Sequence, residues 1–119
     1  MLAQTAWLAR CQVFYWGDID THGFAILDQL RASLPHAQSL LMDRGTLLAF
    51  QSQWGGEEKQ TLRDLSRLNE EEHALYDDLR DNRLGKNLRL EQERIGFGWV
   101  KALLIALGTG QGGLVIKQL

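Results

Sequence analysis

The sequence predicts one α/β domain, a small parallel sheet flanked by helices. Three observations carry that expectation. Residues 12–16, Gln-Val-Phe-Tyr-Trp, are β-branched and aromatic, which is the composition of a buried strand. A polar turn from Gly17 to Gly23 follows, and then Phe24, Leu27, Leu30 and Leu34 recur at helical spacing as far as Pro35. Strand, turn and helix in that order are the first half of a βαβ unit, and the short apolar run Ser39–Met42 supplies the next strand. The right-handed crossover rule makes that second strand parallel to the first.

The remaining elements follow in chain order. Residues 2–10 have helical composition, with Trp7 and Leu8 suited to a core. Asp43-Arg44-Gly45 closes the second strand, and the apolar stretch 46–51 fits either strand or helix. Trp54-Gly55-Gly56 reads as a loop, with Trp54 the tryptophan best placed to meet a partner. Leu62, Leu65 and Leu68 suggest a short helix. Asn69 followed by Glu72 has the form of a capping box, and Leu75, Tyr76 and Leu79 give the helix behind it an apolar face that Gly85 would end. Leu88 and Leu90 alternate with polar residues, as in a short extended segment. Ile95, Trp99, Leu103 and Leu107 predict a final helix. The glycine-rich stretch 108–113 marks a loop or disordered tail, which gives a domain over residues 1–107 and a tail over 108–119.

Composition bounds the function classes. The chain has 119 residues, 45% hydrophobic and 24% charged, which suits one compact domain that needs no disulfide staple. Cys11 is the single cysteine, so an internal disulfide and a cysteine-based zinc site are excluded, and a reducing cytoplasm is the expected compartment. No apolar run reaches the ~18 residues of a membrane span, and no membrane partner is expected. A net charge of −2 excludes a strongly basic nucleic-acid binder. The charge is nonetheless uneven: between Arg80 and Lys101 the bases outnumber the acids, and a local basic strip would include Arg89 and Arg94.

The sharpest chemical feature is Asp18-Ile19-Asp20 at the end of the first strand. Ligands of open α/β sheets gather at the carboxyl ends of strands. Two carboxylates two residues apart there can point into one space, and their repulsion calls for a cation, a base or a proton. Mg²⁺ or Mn²⁺ suits such oxygen ligands, and a metal so held can neutralise charge in phosphodiester cleavage. The bland alternative is equally consistent with the pattern: an Asx turn in which Asp20 or Thr21 caps the helix. Arg44, at the end of the second strand, is a candidate phosphate contact, with a strand-ending turn and local ion pair as the alternative. His22, next to Asp20, is a candidate phosphate contact or proton shuttle, or a bystander of the turn. Glu91 and Glu93 share a face if their segment is extended, and diverge if it is helical. In the first case they would join the metal site or hold Arg89 or Arg94. Tyr15 and Tyr76 read as core rather than as nucleophiles.

The stretch YWGDIDTHGFAILDQLR resembles the second acidic motif of Toprim domains, the metal-dependent fold of topoisomerases, primases and some nucleases. Adding SLLMDRGTLLAF (residues 39–50) and LRLEQERIGFGWV (residues 88–100), the chain more closely resembles the C-terminal domain of the JetD proteins of Wadjet systems. Those proteins are similar to the catalytic subunit of topoisomerase VI and to Spo-eleven-type DNA-cleaving proteins. The resemblance implies a Toprim-like layered fold and a nuclease that cuts plasmid double-stranded DNA delivered by an SMC-type motor complex. It implies a homodimer and no organic cofactor. Asp18 and Asp20 match the metal-binding and catalytic D-x-D, while Arg44, His22, Arg89 and Arg94 stand as its candidate DNA contacts and Glu91 and Glu93 as further metal ligands.

The family also has a catalytic glutamate on an earlier strand. Fourteen residues precede Tyr15 and none is Glu, so the expected fold lacks its first acidic strand, and the chain by itself is expected to be inactive. Two other function classes stand beside this one. A non-catalytic docking or dimerisation module needs the D-x-D only as a turn. A haloacid-dehalogenase-like phosphatase would use Asp18 as nucleophile, but it wants Thr or Val where His22 stands, and Asp77-Asp78 falls in a helix.

Overall fold

The computed structural model describes residues 12–95 and 113–117. Strand β1 (Gln12–Trp16) is the centre of a three-stranded parallel sheet. On one side it pairs with β2 (Gln38–Ser39) in the register Phe14 to Gln38 and Tyr15 to Ser39. On the other it pairs with β5 (Gly113–Lys117), which runs parallel from Gln12 opposite Gly113 to Trp16 opposite Lys117. The glycine-rich stretch was expected to stay a loop or tail, yet its last glycine opens this strand. The helix predicted over residues 2–10 and, past Ile95, the final helix predicted from Ile95 to Leu107 lie outside the described residues, as does Cys11.

Helix α1 (Thr21–Ser33) returns the chain from β1 to β2, as the apolar spacing predicts. Its buried face is Phe24, Ala25 and Leu27. Asp20 caps its N-terminus and Leu34 ends it before Pro35, whose preceding residue is sterically kept out of helical backbone. The second strand is shorter than the predicted Ser39–Met42. The Leu40 N–H still donates to the Tyr15 carbonyl at 2.8 Å, but Leu41 takes a left-handed backbone, φ 56°, and breaks the extended run. Asp43 then caps helix α2 (Arg44–Ala49), accepting from the Thr46 N–H at 2.9 Å, so Asp43-Arg44 opens a helix rather than closing a strand.

Trp54 is half-buried. Its indole N–H donates to the Leu47 carbonyl at 2.8 Å and its ring packs against the core. Gly55 and Gly56, read as loop, form β3 (Gly55–Gly56), antiparallel to β4 (Leu88–Arg89).

The helix expected at Leu62, Leu65 and Leu68 is absent. Leu65 is buried while Leu62 is 69% exposed. Side chains satisfy this segment's backbone in place of helical bonds. Thr61 N–H donates to Thr21 Oγ1, Arg67 N–H to Asp28 Oδ1, and the Tyr76 hydroxyl donates to the Arg63 carbonyl.

Helix α3 (Glu70–Arg80) starts with the predicted capping box, Asn69 and Glu72 each accepting from the other's N–H. It ends earlier than Gly85. Asn82 sits at φ 57°, with its N–H on the Leu79 carbonyl and the Arg83 N–H on the Asp78 carbonyl, a Schellman closure in which Asn takes the left-handed position. Leu75, Tyr76 and Leu79 pack with Phe24, Leu27 and Tyr15 into one core between the helices and the sheet. No helix among the described residues is long and apolar enough to cross a membrane.

Candidate functional site: an acidic turn closed by a two-stranded ribbon

The β1–α1 turn holds the site because Gly23 lets the chain fold tightly on itself. A Cβ on Gly23 would lie 2.1 Å from the Asp18 carbonyl oxygen, so only glycine fits. The turn therefore returns Asp20 to the mouth of α1, where its Oδ1 accepts from the Gly23 N–H at 2.6 Å. Asp20 is 1% exposed. Asp18, two residues back, is half-buried and accepts the Gln92 N–H on Oδ1 at 2.8 Å.

The ribbon of β3 and β4 closes over this turn. Leu90, just past β4, exchanges both backbone bonds with Ile19, at 2.9 and 3.1 Å. That pairing fixes what lies on either side. Arg89 reaches Asp20, Nε to Oδ2 at 2.9 Å, and Gln92 reaches Asp18. On the other strand Glu57, whose N–H donates to the Asn87 carbonyl, is carried to the start of α1. There its carboxylate accepts from the Thr21 hydroxyl at 2.9 Å, from the Thr21 N–H and from the His22 N–H. Glu57 is 4% exposed. A carboxylate on the first N–H groups of a helix is in its favoured place, because those donors lack helical partners.

Glu57 is the site residue that the sequence reading missed. Its only signal is an acid directly after Gly55-Gly56, and two-residue glycine strands carry no side-chain pattern to separate them from a loop.

The electrostatics show one cluster. Burial, with help from the Asp18 charge, pushes Asp20 above the ordinary carboxylate range, against the pull of the Gly23 N–H and Arg89. Burial and the Asp20 charge push Glu57 up as well, against its bonds from Thr21 and His22. Burial disfavours the charge on Arg89, but the bond to Asp20 and the charges of Asp18 and Glu57 hold it protonated beyond its usual strength. The charges of Asp18, Asp20 and Glu57 all act on the Arg89 guanidinium. Burial also pushes the Tyr15 hydroxyl far up, with the Asp18 and Asp20 charges adding to it, which suits a core tyrosine and not a nucleophile.

The other sequence candidates fall elsewhere. Arg44 Nη2 bonds Asp78 Oδ2 at 2.6 Å, beside a cavity of about 430 Å³ lined by Ser39, Asn69 and Glu72 among others. The His22 side chain is exposed, and its backbone N–H serves the cluster. The segment after Leu90 is not extended. Glu91 caps a 3₁₀ turn over Gln92–Arg94, so Glu91 is half-buried while Glu93 and Arg94 are exposed, and the two glutamates do not share one face.

Hard carboxylate oxygens in excess of local positive charge are the donor chemistry of Mg²⁺ or Mn²⁺, and the residues present fit such an ion by type. Among the described residues no three His, Cys, Asp or Glu side chains are grouped to hold a metal as they stand.

Fold and site together define an α/β domain with buried acids at the carboxyl end of its central strand. The chain belongs to a known family: the family model described as Wadjet protein JetD, C-terminal, matches residues 1–104. That membership is consistent with a Wadjet defence role. No curated protein matches the chain.

Proposed function

We propose that this domain is the Toprim-like nuclease part of a plasmid-defence protein and hydrolyses phosphodiester bonds of double-stranded DNA with Mg²⁺ or Mn²⁺. The observation that carries the reading is the buried Asp20 carboxylate at the carboxyl end of β1, with Asp18 two residues before it and Arg89 bonded to it. Asp18 and Asp20 are the residues that would hold the ion. The bound metal supplies charge neutralisation at the phosphate and an activated water.

The chain's own residues set this up. Asp20 is held rigid by the Gly23 N–H, which leaves Oδ2 as its exchangeable oxygen. Asp18 is fixed by Gln92. Glu57 is oriented by the start of α1 and contributes negative charge beside Asp20. Arg94 and His22, exposed on the segments that flank the cluster, are suited to phosphate contacts. Arg44 would first have to leave Asp78. DNA, the SMC-type motor complex and a second copy of the chain are the proposed partners.

One observation favours a second reading, a docking module with no catalysis: Asp20 caps α1, which is the role of a simple turn residue. The test is Mn²⁺-dependent cleavage of circular plasmid by this chain and by a longer JetD protein that carries it as the C-terminal domain. Cleavage by the longer protein that drops at least a hundredfold in Asp20→Asn supports the nuclease. No cleavage by either, with no thermal stabilisation by Mn²⁺, moves the assignment to the docking module.

A further inference from the structure

We infer that Arg89 is a built-in counter-ion that exchanges with the divalent cation on Asp20 and so sets how tightly the site takes its metal. The inference rests on the metal reading above and goes beyond it, because it assigns the basic residue of the cluster to the carboxylates and not to DNA. Four observations carry it.

First, Arg89 meets Asp20 by one hydrogen bond, Nε to Oδ2, in place of the two-pronged fork that guanidinium groups form with carboxylates when the pair is built to last. Compare Arg31 and Glu72 in the same molecule, where Nη1 and Nη2 each hold a separate oxygen. Second, the two ends of the bond differ in access. Asp20 is 1% exposed, while the Arg89 side chain is 29% exposed. Third, Asp20 does not depend on Arg89 for its position. Its other oxygen is pinned by the Gly23 N–H, so the carboxylate stays in place when the guanidinium departs. Fourth, the single positive charge of Arg89 faces Asp18 and Glu57 as well as Asp20. A dication answers that excess better than a monocation does.

Both cations want the same oxygen, so binding of one opposes the other. While Arg89 holds Asp20 the metal-competent form is a minor fraction, and the apparent metal affinity is lowered by that fraction. Arg89 also protects the buried carboxylate when no metal is present, since an unpaired buried charge is costly. Arg89 thus acts as a counter-ion to Asp20, whose position is set by the Gly23 N–H.

The test is Mn²⁺ binding to the 119-residue chain, followed by electron paramagnetic resonance, in wild type, Arg89→Gln and Asp20→Asn. Exchange predicts that Arg89→Gln binds Mn²⁺ about tenfold more tightly than wild type. It also predicts a lower Tm without metal and a larger rise in Tm when Mn²⁺ is added. A purely structural Arg89 gives a lower Tm with unchanged or weaker Mn²⁺ binding, and that result overturns the inference while leaving the metal reading intact. Loss of all binding in every protein, wild type included, overturns both.

A second measurement does not depend on the variant folding. In wild type with ¹⁵N-labelled arginine, the Nε–H resonance assigned through Arg89→Lys moves to the position of a solvent-exposed guanidinium as Mg²⁺ is titrated. A resonance that stays fixed through Mg²⁺ saturation contradicts the exchange.

Discussion

Asp20 performs two tasks with its two oxygens, and Gly23 makes both possible. Oδ1 closes the first turn of α1 and Oδ2 meets Arg89. The geometry needs the chain at residue 23 within van der Waals reach of the Asp18 carbonyl, where a Cβ would sit at 2.1 Å. The obstacle is backbone and cannot rotate away. Gly23→Ala is therefore expected to cost about 3 kcal/mol, at the upper end of overpacking penalties, read by urea unfolding. A change under about 0.5 kcal/mol would mean that the turn opens freely and does not define the site. The motif at this scale was legible. Asp18, Asp20 and Gly23 stand out because polar residues and glycine interrupt two apolar runs. What the sequence left open was whether Asp20 is a cap or a charge-bearing site residue. The structure shows it as a cap that is also paired with Arg89, because a carboxylate has an oxygen for each.

Elements of strong period read well, and elements of two residues did not. α1 and α3 bury periodic apolar sets and β1 a continuous run of β-branched and aromatic residues, so their type was evident before any coordinates. The β3–β4 ribbon has two glycines in one strand, and its pairing rests on backbone bonds alone. Glu57 was hidden with it. The segment of Leu62 to Leu68 misled for the opposite reason. Leucines three apart imitate a helix, but Thr21, Asp28 and Tyr76 supply its hydrogen bonds from other elements.

One side-chain junction ties the elements together. Glu72 at the start of α3 accepts from Arg31 of α1, from Ser39 of β2 and from the Asn69 N–H. Burial alone would raise the Glu72 carboxyl, but these bonds outweigh it and hold it below its ordinary 4.5. A carboxyl lowered in the fold contributes stability that is present above its unfolded value. That contribution is lost as pH falls from 4.5 through the lowered folded value. Glu72→Gln should cost about 3 kcal/mol at pH 7, because Arg31 is left buried without its charge partner. It should also flatten the fall in stability below pH 4.5, measured by thermal unfolding against pH. An unchanged acid limb would show that other carboxylates govern it.

At the scale of the whole molecule, the uneven charge seen in the sequence is largely resolved by pairing. Among the described residues Arg80 and Arg83 bond aspartates on and around α3, and Arg89 bonds Asp20, so these three arginines of the basic strip are each paired with an acid. The partly exposed pairs of Arg80 and Arg83 contribute little to stability, and a polyanion can compete for their arginines. The parallel sheet places β1 between β2 and β5, and the acids leave from its carboxyl end, where α/β folds gather their ligands. Family membership and this placement are consistent with each other: the JetD C-terminal match spans both the D-x-D turn and the ribbon that covers it. The account stands on the ribbon and the turn forming one divalent-cation site. Calorimetric titration of Mn²⁺ into the chain, beside Asp20→Asn and Glu57→Gln, tests that most directly. The account predicts one bound ion in wild type, no measurable binding in Asp20→Asn and at least tenfold weaker binding in Glu57→Gln. Binding of equal strength in all three proteins would contradict it.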